Sequence, residues 1–237
     1  MKRNLLVSLV SALVVASASA SGAVARVYTT TYSGTVSFGN DLNGLFGLPS
    51  SSLSGSAFNV EFTTDDGIVG ANQFYYDTSS IIEGYFNSSP TYARLIINGT
   101  SMTFGYRRGY QAQDRSATAD SFSHYAENAF FYSFGRSNYA YINMSGVGSN
   151  FLSSSDWRHL NTSQAARAQD VSGTFNVYAA DPDNGVTQST FGYLMADRVV
   201  VSGGVPEPRD WTLFIAGLAC VGTLLRHSRR PSARRTL

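Results

Sequence analysis

From Ser56 to Thr64 the chain reads "SAFNVEFTT". Phe58, Val60 and Phe62 fall on one face of an extended chain, and Asn59 and Glu61 fall on the other. A period of two with β-branched and aromatic residues predicts a strand covered on one side only. The same writing continues outward in "VYTTTYSGTVSF" (Val27 to Phe38), "IIEGYF" (Ile81 to Phe86), "YARLII" (Tyr92 to Ile97), "SMTFGY" (Ser101 to Tyr106), "YAYINM" (Tyr139 to Met144), "GTFNVYA" (Gly173 to Ala179) and "DRVVVS" (Asp197 to Ser202). These segments are rich in residues that suit a pleated, half-buried surface.

The punctuation agrees. Asn98-Gly99 between two strand segments predicts a tight hairpin, because a type I′ turn needs positive φ at both central residues. Asp65-Asp66-Gly67 and Asn184-Gly185 predict further reversals. Helical period is nearly absent; "DWRHLNTSQAARAQ" (Asp156 to Gln169) is the best helical candidate, with an ordered loop as its alternative. Leu42 to Gly55 is the longest irregular stretch, and no fixed repeat is visible. The expected fold is all-β: a single antiparallel β-sandwich, jelly-roll-like, over 26–202.

Both ends of the chain read as something other than this domain. Lys2 and Arg3 precede an apolar run, Leu5 to Ala16, followed by small residues in an A-x-A pattern. That predicts an export signal over 1–20, cleaved after Ala20, with Ala25 as the alternative end. At the other end Ser202-Gly203-Gly204 reads as a hinge, and 203–237 as a separate feature. Val205-Pro206-Glu207-Pro208 continues neither strand nor helix, since proline lacks an N–H and restricts its predecessor. Trp211 to Leu225 is fifteen uncharged residues, a helix of about 22 Å against the ~30 Å bilayer core. Trp211 suits a headgroup interface. Arg226, Arg229, Arg230, Arg234 and Arg235 suit the cytoplasmic side, so a short transmembrane helix is expected over 211–225.

These residues carry a resemblance. A V-P-E-P motif, a Trp three residues on, a short apolar helix with Gly217 and Gly222 and a terminal Arg cluster are similar to the PEP-CTERM sorting signal of Gram-negative bacteria. The resemblance covers about the last 30 residues; it departs from the pattern at Arg209-Asp210 and at His227-Ser228 within the Arg cluster. It implies recognition of Pro206, Glu207 and Pro208 by an exosortase, a membrane enzyme with a cysteine nucleophile. It further implies that a transient inner-membrane anchor is then removed and that the protein passes to the cell surface or an extracellular exopolysaccharide matrix.

Charge and composition narrow what the domain does. Between Arg26 and Val205 there are nine Arg and no Lys against fourteen Asp and Glu. A mildly acidic domain without a basic stripe argues against nucleic acid as a partner. The only cysteine is Cys220, so the domain has no thiol for a disulfide, a thiolate nucleophile or a metal. No G-x-S-x-G, H-E-x-x-H or Walker-type motif occurs, and no enzyme activity or cofactor is expected.

Weaker candidates remain. His124 and His159 are the domain's only histidines, each expected to hydrogen-bond in a loop or at a strand edge. Glu61, Glu83 and Glu127 are its only glutamates; a glycosidase needs two carboxyls at a suitable separation, and spacing alone pairs none of them. Asp181 to Gly185 and Asp65/Asp66 offer oxygens for a structural Ca²⁺, though turn chemistry explains both. With 14 Tyr and 15 Phe, the chain clusters aromatic residues at Phe74-Tyr75-Tyr76, Phe130-Phe131-Tyr132 and Tyr139/Tyr141. Such rings stack on sugars, so the expected role is structural, adhesive or glycan-binding, with a secreted glycan-active hydrolase as the alternative.

Overall fold

A computed structural model describes residues 26–131, 137–181 and 186–202. Twelve strands dominate: β1 (Val27–Asp41), β2 (Ser51–Ser52), β3 (Ala57–Asp65), β4 (Asn72–Tyr75), β5 (Ser79–Tyr85), β6 (Thr91–Ile97), β7 (Thr100–Phe104), β8 (Arg108–Arg115), β9 (Asp120–Phe131), β10 (Ser137–Gly148), β11 (Asp170–Asp181) and β12 (Val186–Ser202). All belong to one hydrogen-bonded sheet ordered β4-β5-β8-β9-β10-β11-β12-β1-β3-β6-β7, with β2 beside β1. Every pairing is antiparallel.

The sheet is large and curled, so that its two arms meet. β6 packs against β8 and β9, and β7 against β9 and β10. The curl follows from twist, since strongly twisted sheets of this width curl or split rather than lie flat. β1 bends at two register shifts, between Ser33 and Gly34 and between Val36 and Phe38. Glycine is required at the first: a Cβ on Gly34 would lie 2.0 Å from the carbonyl oxygen of Met195.

The arms bury one core. Phe58, Val60, Phe62, Leu95, Ile97 and Phe104 come from one arm, and Phe122, Ala126, Ile142 and Met144 from the other. Phe58, Val60 and Phe62 are buried and Glu61 is exposed, as their alternation requires. The Asn98-Gly99 hairpin is also present, with φ of 50° and 80° closing β6 onto β7. Asp65-Asp66-Gly67 is a turn but not a hairpin: β3 leads to β4 at the far end of the sheet. Asn184-Gly185 lies outside the described residues, between antiparallel β11 and β12.

Two irregular segments are ordered by side chains. Asp41 is fully buried; one carboxylate oxygen accepts from Leu45 N (2.7 Å) and Thr190 Oγ1 (2.9 Å), the other from Phe46 N (2.7 Å). This folds the loop after β1 back so that Phe46 enters the core. Asp156 to Gln169 is an ordered loop carrying a 3-10 turn at Trp157–His159 and one helical turn, α1 (Thr162–Ala165). An Asn161–Gln164 capping box closes α1, satisfying end groups that a single turn leaves open. Trp157 packs on Tyr28 at a 5.3 Å centroid distance, in a second small core with Ile82.

Candidate functional site

At the end of the sheet where β6 begins, two connections enclose an open groove. After β5 the chain turns back through a 3-10 turn, Phe86–Ser88, and re-enters the sheet at Thr91. Phe86 holds φ of 53°, a left-handed conformation that costs an L-residue roughly 1–2 kcal/mol. Its ring is nevertheless 67% exposed. An unfavourable backbone that presents an apolar ring to water marks a position shaped by something other than folding stability. The turn is pinned by Phe86 N donating to the Arg107 carbonyl at 2.8 Å.

The opposite wall is the β7–β8 connection, clamped by buried Asn128. Its Oδ1 accepts from Gly105 N (2.8 Å) and Tyr106 N (2.9 Å), and its Nδ2 donates to the Thr103 carbonyl (2.8 Å). Gly105 sits at φ of 133°, and a Cβ there would lie 2.6 Å from Tyr92 Cβ. The clamp and the glycine together set Gly105 against Tyr92, so that Tyr92 and Tyr106 line the same groove. The groove has a volume of about 420 Å³, with Phe104 and Gly105 beneath and Asn87, Ser89 and Thr103 among its polar lining. Phe86, Tyr92 and Tyr106 rim it with exposures of 67%, 50% and 74%. No charged side chain lines it. Ring faces beside amide and hydroxyl groups suit a neutral ligand with apolar C–H faces and many hydroxyls.

Beside the groove the outer face of the sheet carries a tyrosine and ion-pair ladder. Tyr85, Arg108, Glu127 and Tyr141 are successive cross-strand partners on β5, β8, β9 and β10; Glu83, Tyr110, Tyr125 and Asn143 form the next row. Arg107 Nη1 reaches Glu127 Oε1 at 2.6 Å, and Arg108 Nη2 reaches Glu83 Oε2 at 3.3 Å. Tyr125 stacks on Tyr110 (5.2 Å) and Tyr141 (6.2 Å), and Arg108 Cζ lies 5.2 Å from the Tyr85 centroid. The Tyr125 hydroxyl donates to Glu127 Oε2 at 2.7 Å and meets the Tyr139 hydroxyl at 3.2 Å. Burial and the hydrogen bonds to Tyr139 and Glu127 hold the Tyr125 phenol far above its ordinary pKa.

The three glutamates named from sequence separate here. Glu83 and Glu127 share the outer face with β8 between them, and each is committed to a guanidinium. Glu61 is exposed on β3, opposite Arg94. His124 is neither in a loop nor at an edge: it is fully buried on β9 among Phe62, Phe122 and Tyr32, with Nδ1 2.8 Å from the Tyr32 hydroxyl. Burial pushes its pKa down to about 3, so it is a neutral core residue at physiological pH. His159 Nδ1 lies 3.4 Å from Ser154 Oγ and 3.6 Å from Asp156 Oδ2. Both contacts use one nitrogen, so the imidazole cannot relay a proton between hydroxyl and carboxylate.

Asp65 accepts from Gly67 N, the turn chemistry expected of it, whereas Asp66 accepts from Arg26 N at the start of the described chain. Among the described residues no group of three or more His, Cys, Asp or Glu gathers to hold a metal. Asp181 ends β11, and 182–185 lie outside the described residues. Phe74, Tyr75 and Tyr76 are exposed at edge strand β4, with Arg158 Cζ 4.9 Å from the Tyr75 centroid. Tyr139 and Tyr141 belong to the ladder, and nothing is described for the Phe130, Phe131 and Tyr132 side chains. Val205, Pro206, Glu207, Pro208, Trp211, Arg226, Arg229 and Arg230, with the export signal and the expected transmembrane helix, also lie outside the described residues. Among the described residues no helix is long and apolar enough to cross a membrane.

Sequence reasoning missed the groove. Phe86, Tyr92 and Tyr106 each sit at the margin of a quoted strand segment, and only the curl of the sheet brings them together. The available signal was "FNSSP" (Phe86 to Pro90): a bulky ring directly before four turn-forming residues is an aromatic placed outside the core. No protein-family model, curated protein or solved structure matches the chain.

Proposed function

We propose that this chain is an exported surface or matrix protein whose domain binds neutral glycan, with the two arms of its sheet facing each other as the layers of a sandwich. Delivery rests on the C-terminal segment and its resemblance to a PEP-CTERM signal. An exosortase would act at Val205-Pro206-Glu207-Pro208, releasing the domain into an exopolysaccharide matrix. The observation that carries the binding role is the neutral groove rimmed by Phe86, Tyr92 and Tyr106. Water-exposed rings around hydroxyl and amide groups on a fixed backbone form a preorganised sugar platform.

Binding is tested on immobilised neutral and acidic polysaccharides. Wild-type protein is expected to be retained on a neutral one, and Phe86→Ala or Tyr106→Ala to weaken retention at least about tenfold, which corresponds to ~1.4 kcal/mol. Equal retention of wild type and both variants, or retention on acidic polysaccharide alone, removes the groove from the reading. Delivery is tested by mass spectrometry of the exported protein's C-terminus in cells with and without the processing enzyme; a peptide extending to Leu237 in both overturns it.

One observation favours the hydrolase alternative: Glu83 and Glu127 share a face. Both are tied to arginines and neither lines the groove, so binding is the better-supported role. Release of reducing ends from a polysaccharide, lost in Glu127→Gln, would reverse that ranking.

A further inference from the structure

The geometry points to Tyr125 and Tyr139 as an oxidation site, a phenol pair arranged to become joined by a carbon–carbon bond under a haem peroxidase supplied with hydrogen peroxide. The inference is independent of what the groove binds. Tyr125 on β9 and Tyr139 on β10 project from the outer face with hydroxyls 3.2 Å apart. The Tyr125 hydroxyl donates to Glu127 Oε2 at 2.7 Å, so the shared hydrogen bond runs from Tyr139 O–H to Tyr125 oxygen. The Tyr125 proton therefore has a directed path to a carboxylate, which Arg107 holds in place at 2.6 Å.

That path matters because a phenol gives up an electron readily only if its proton leaves at the same time. Burial and the same hydrogen bonds disfavour simple ionisation of Tyr125, so the electron must go first or together with the proton. Tyr110, stacked on Tyr125 at 5.2 Å, and Tyr141, 5.4 Å from Tyr139, extend the aromatic contact beyond the pair. All four rings are half-buried. They are open enough for electron exchange at the surface and shielded enough to limit quenching by solvent.

The balance is simple. Each phenol loses one electron and one proton, the Tyr125 proton passing to Glu127 and the Tyr139 proton, from a half-exposed residue, to solvent. The two phenoxyl radicals couple at ring carbons ortho to their oxygens, and the hydrogens on those carbons move to the oxygens as the rings become aromatic again. The protein loses two hydrogens, and one peroxide takes up two electrons and two protons to become two waters. With Cys220 the only cysteine, no disulfide can form within the chain, and a bond between tyrosines would supply an oxidative cross-link in its place.

The test treats full-length protein with haem peroxidase and hydrogen peroxide, then maps cross-linked peptides by mass spectrometry. The expected product is a monomer with the Tyr125 and Tyr139 peptides joined, two hydrogens lighter, with bityrosine fluorescence. Glu127→Gln is expected to slow its formation at least about tenfold, a factor worth ~1.36 kcal/mol of barrier. Because that change also breaks the Arg107–Glu127 ion pair, Tyr139→Phe is the second variant; it keeps the ring and eliminates this product. Cross-links confined to the most exposed tyrosines, such as Tyr106 or Tyr76, overturn the assignment. An unchanged rate in folded Glu127→Gln protein overturns the proton path.

Discussion

Phe86 and His124 are each placed at a cost to the fold. Phe86 holds a left-handed backbone with its ring in water, so Phe86→Gly is expected to raise the melting temperature while destroying retention on polysaccharide. The gain is about 1 kcal/mol, and scanning calorimetry beside the retention assay reads both. His124 makes stability depend on pH. In the unfolded chain an imidazole titrates near 6.5, whereas burial holds His124 at about 3 in the fold. Between those values the unfolded chain binds a proton that the folded one refuses. Stability is therefore full above about pH 6.5 and falls on acidification by up to ~1.4 kcal/mol per pH unit. Replacing Tyr32 and His124 together by Phe is expected to flatten that slope by one proton, measured by urea denaturation across the window.

At the scale of elements, the groove depends on the clamp of Asn128 on the β7–β8 connection. Asn128→Ala would strand the Gly105 and Tyr106 N–H groups and the Thr103 carbonyl, each costing about 1–3 kcal/mol where buried. A loss of several kcal/mol is expected in denaturant melts, with protection of the Tyr106 amide lost in hydrogen exchange. The elements themselves were legible from sequence where one face met the apolar core. Phe58, Val60 and Phe62 declared β3, and Asn98-Gly99 declared its hairpin. β8 went unread because its inward residues are Gln111 and Gln113, buried against the loop at 151–160, where Gln111 Nε2 donates to the Trp157 carbonyl at 3.2 Å. β9 hid for a related reason, burying Asp120, His124 and Asn128 through specific hydrogen bonds. Strands that bury polar side chains against loops lose the alternation by which strands are recognised.

For the whole molecule, the all-β class follows from local alternation, but the strand order does not. β1 sits beside β12, with Thr29 opposite Ser202, and nothing local in either segment announces a partner so far along the chain. The aromatic groove was illegible for the same reason, since its rim residues come from three segments joined only by the curl. Such long-range pairing makes folding slow, in the millisecond-to-second range or beyond. Removing 186–202 leaves β1 and β11 without their central neighbour, so a chain ending at Asp181 is expected to show no cooperative melt by circular dichroism.

The pairing of first strand with last also sets a timetable. A chain emerging N-terminus first, from a ribosome or through a narrow channel, presents β1 early and must wait for Ser202 before its central ladder can form. The two arms of the sheet stay unjoined until then, because β12 is the strand that links β11 to β1. A protein wired this way can join its two arms over the shared core only after nearly all of the described fold has passed through.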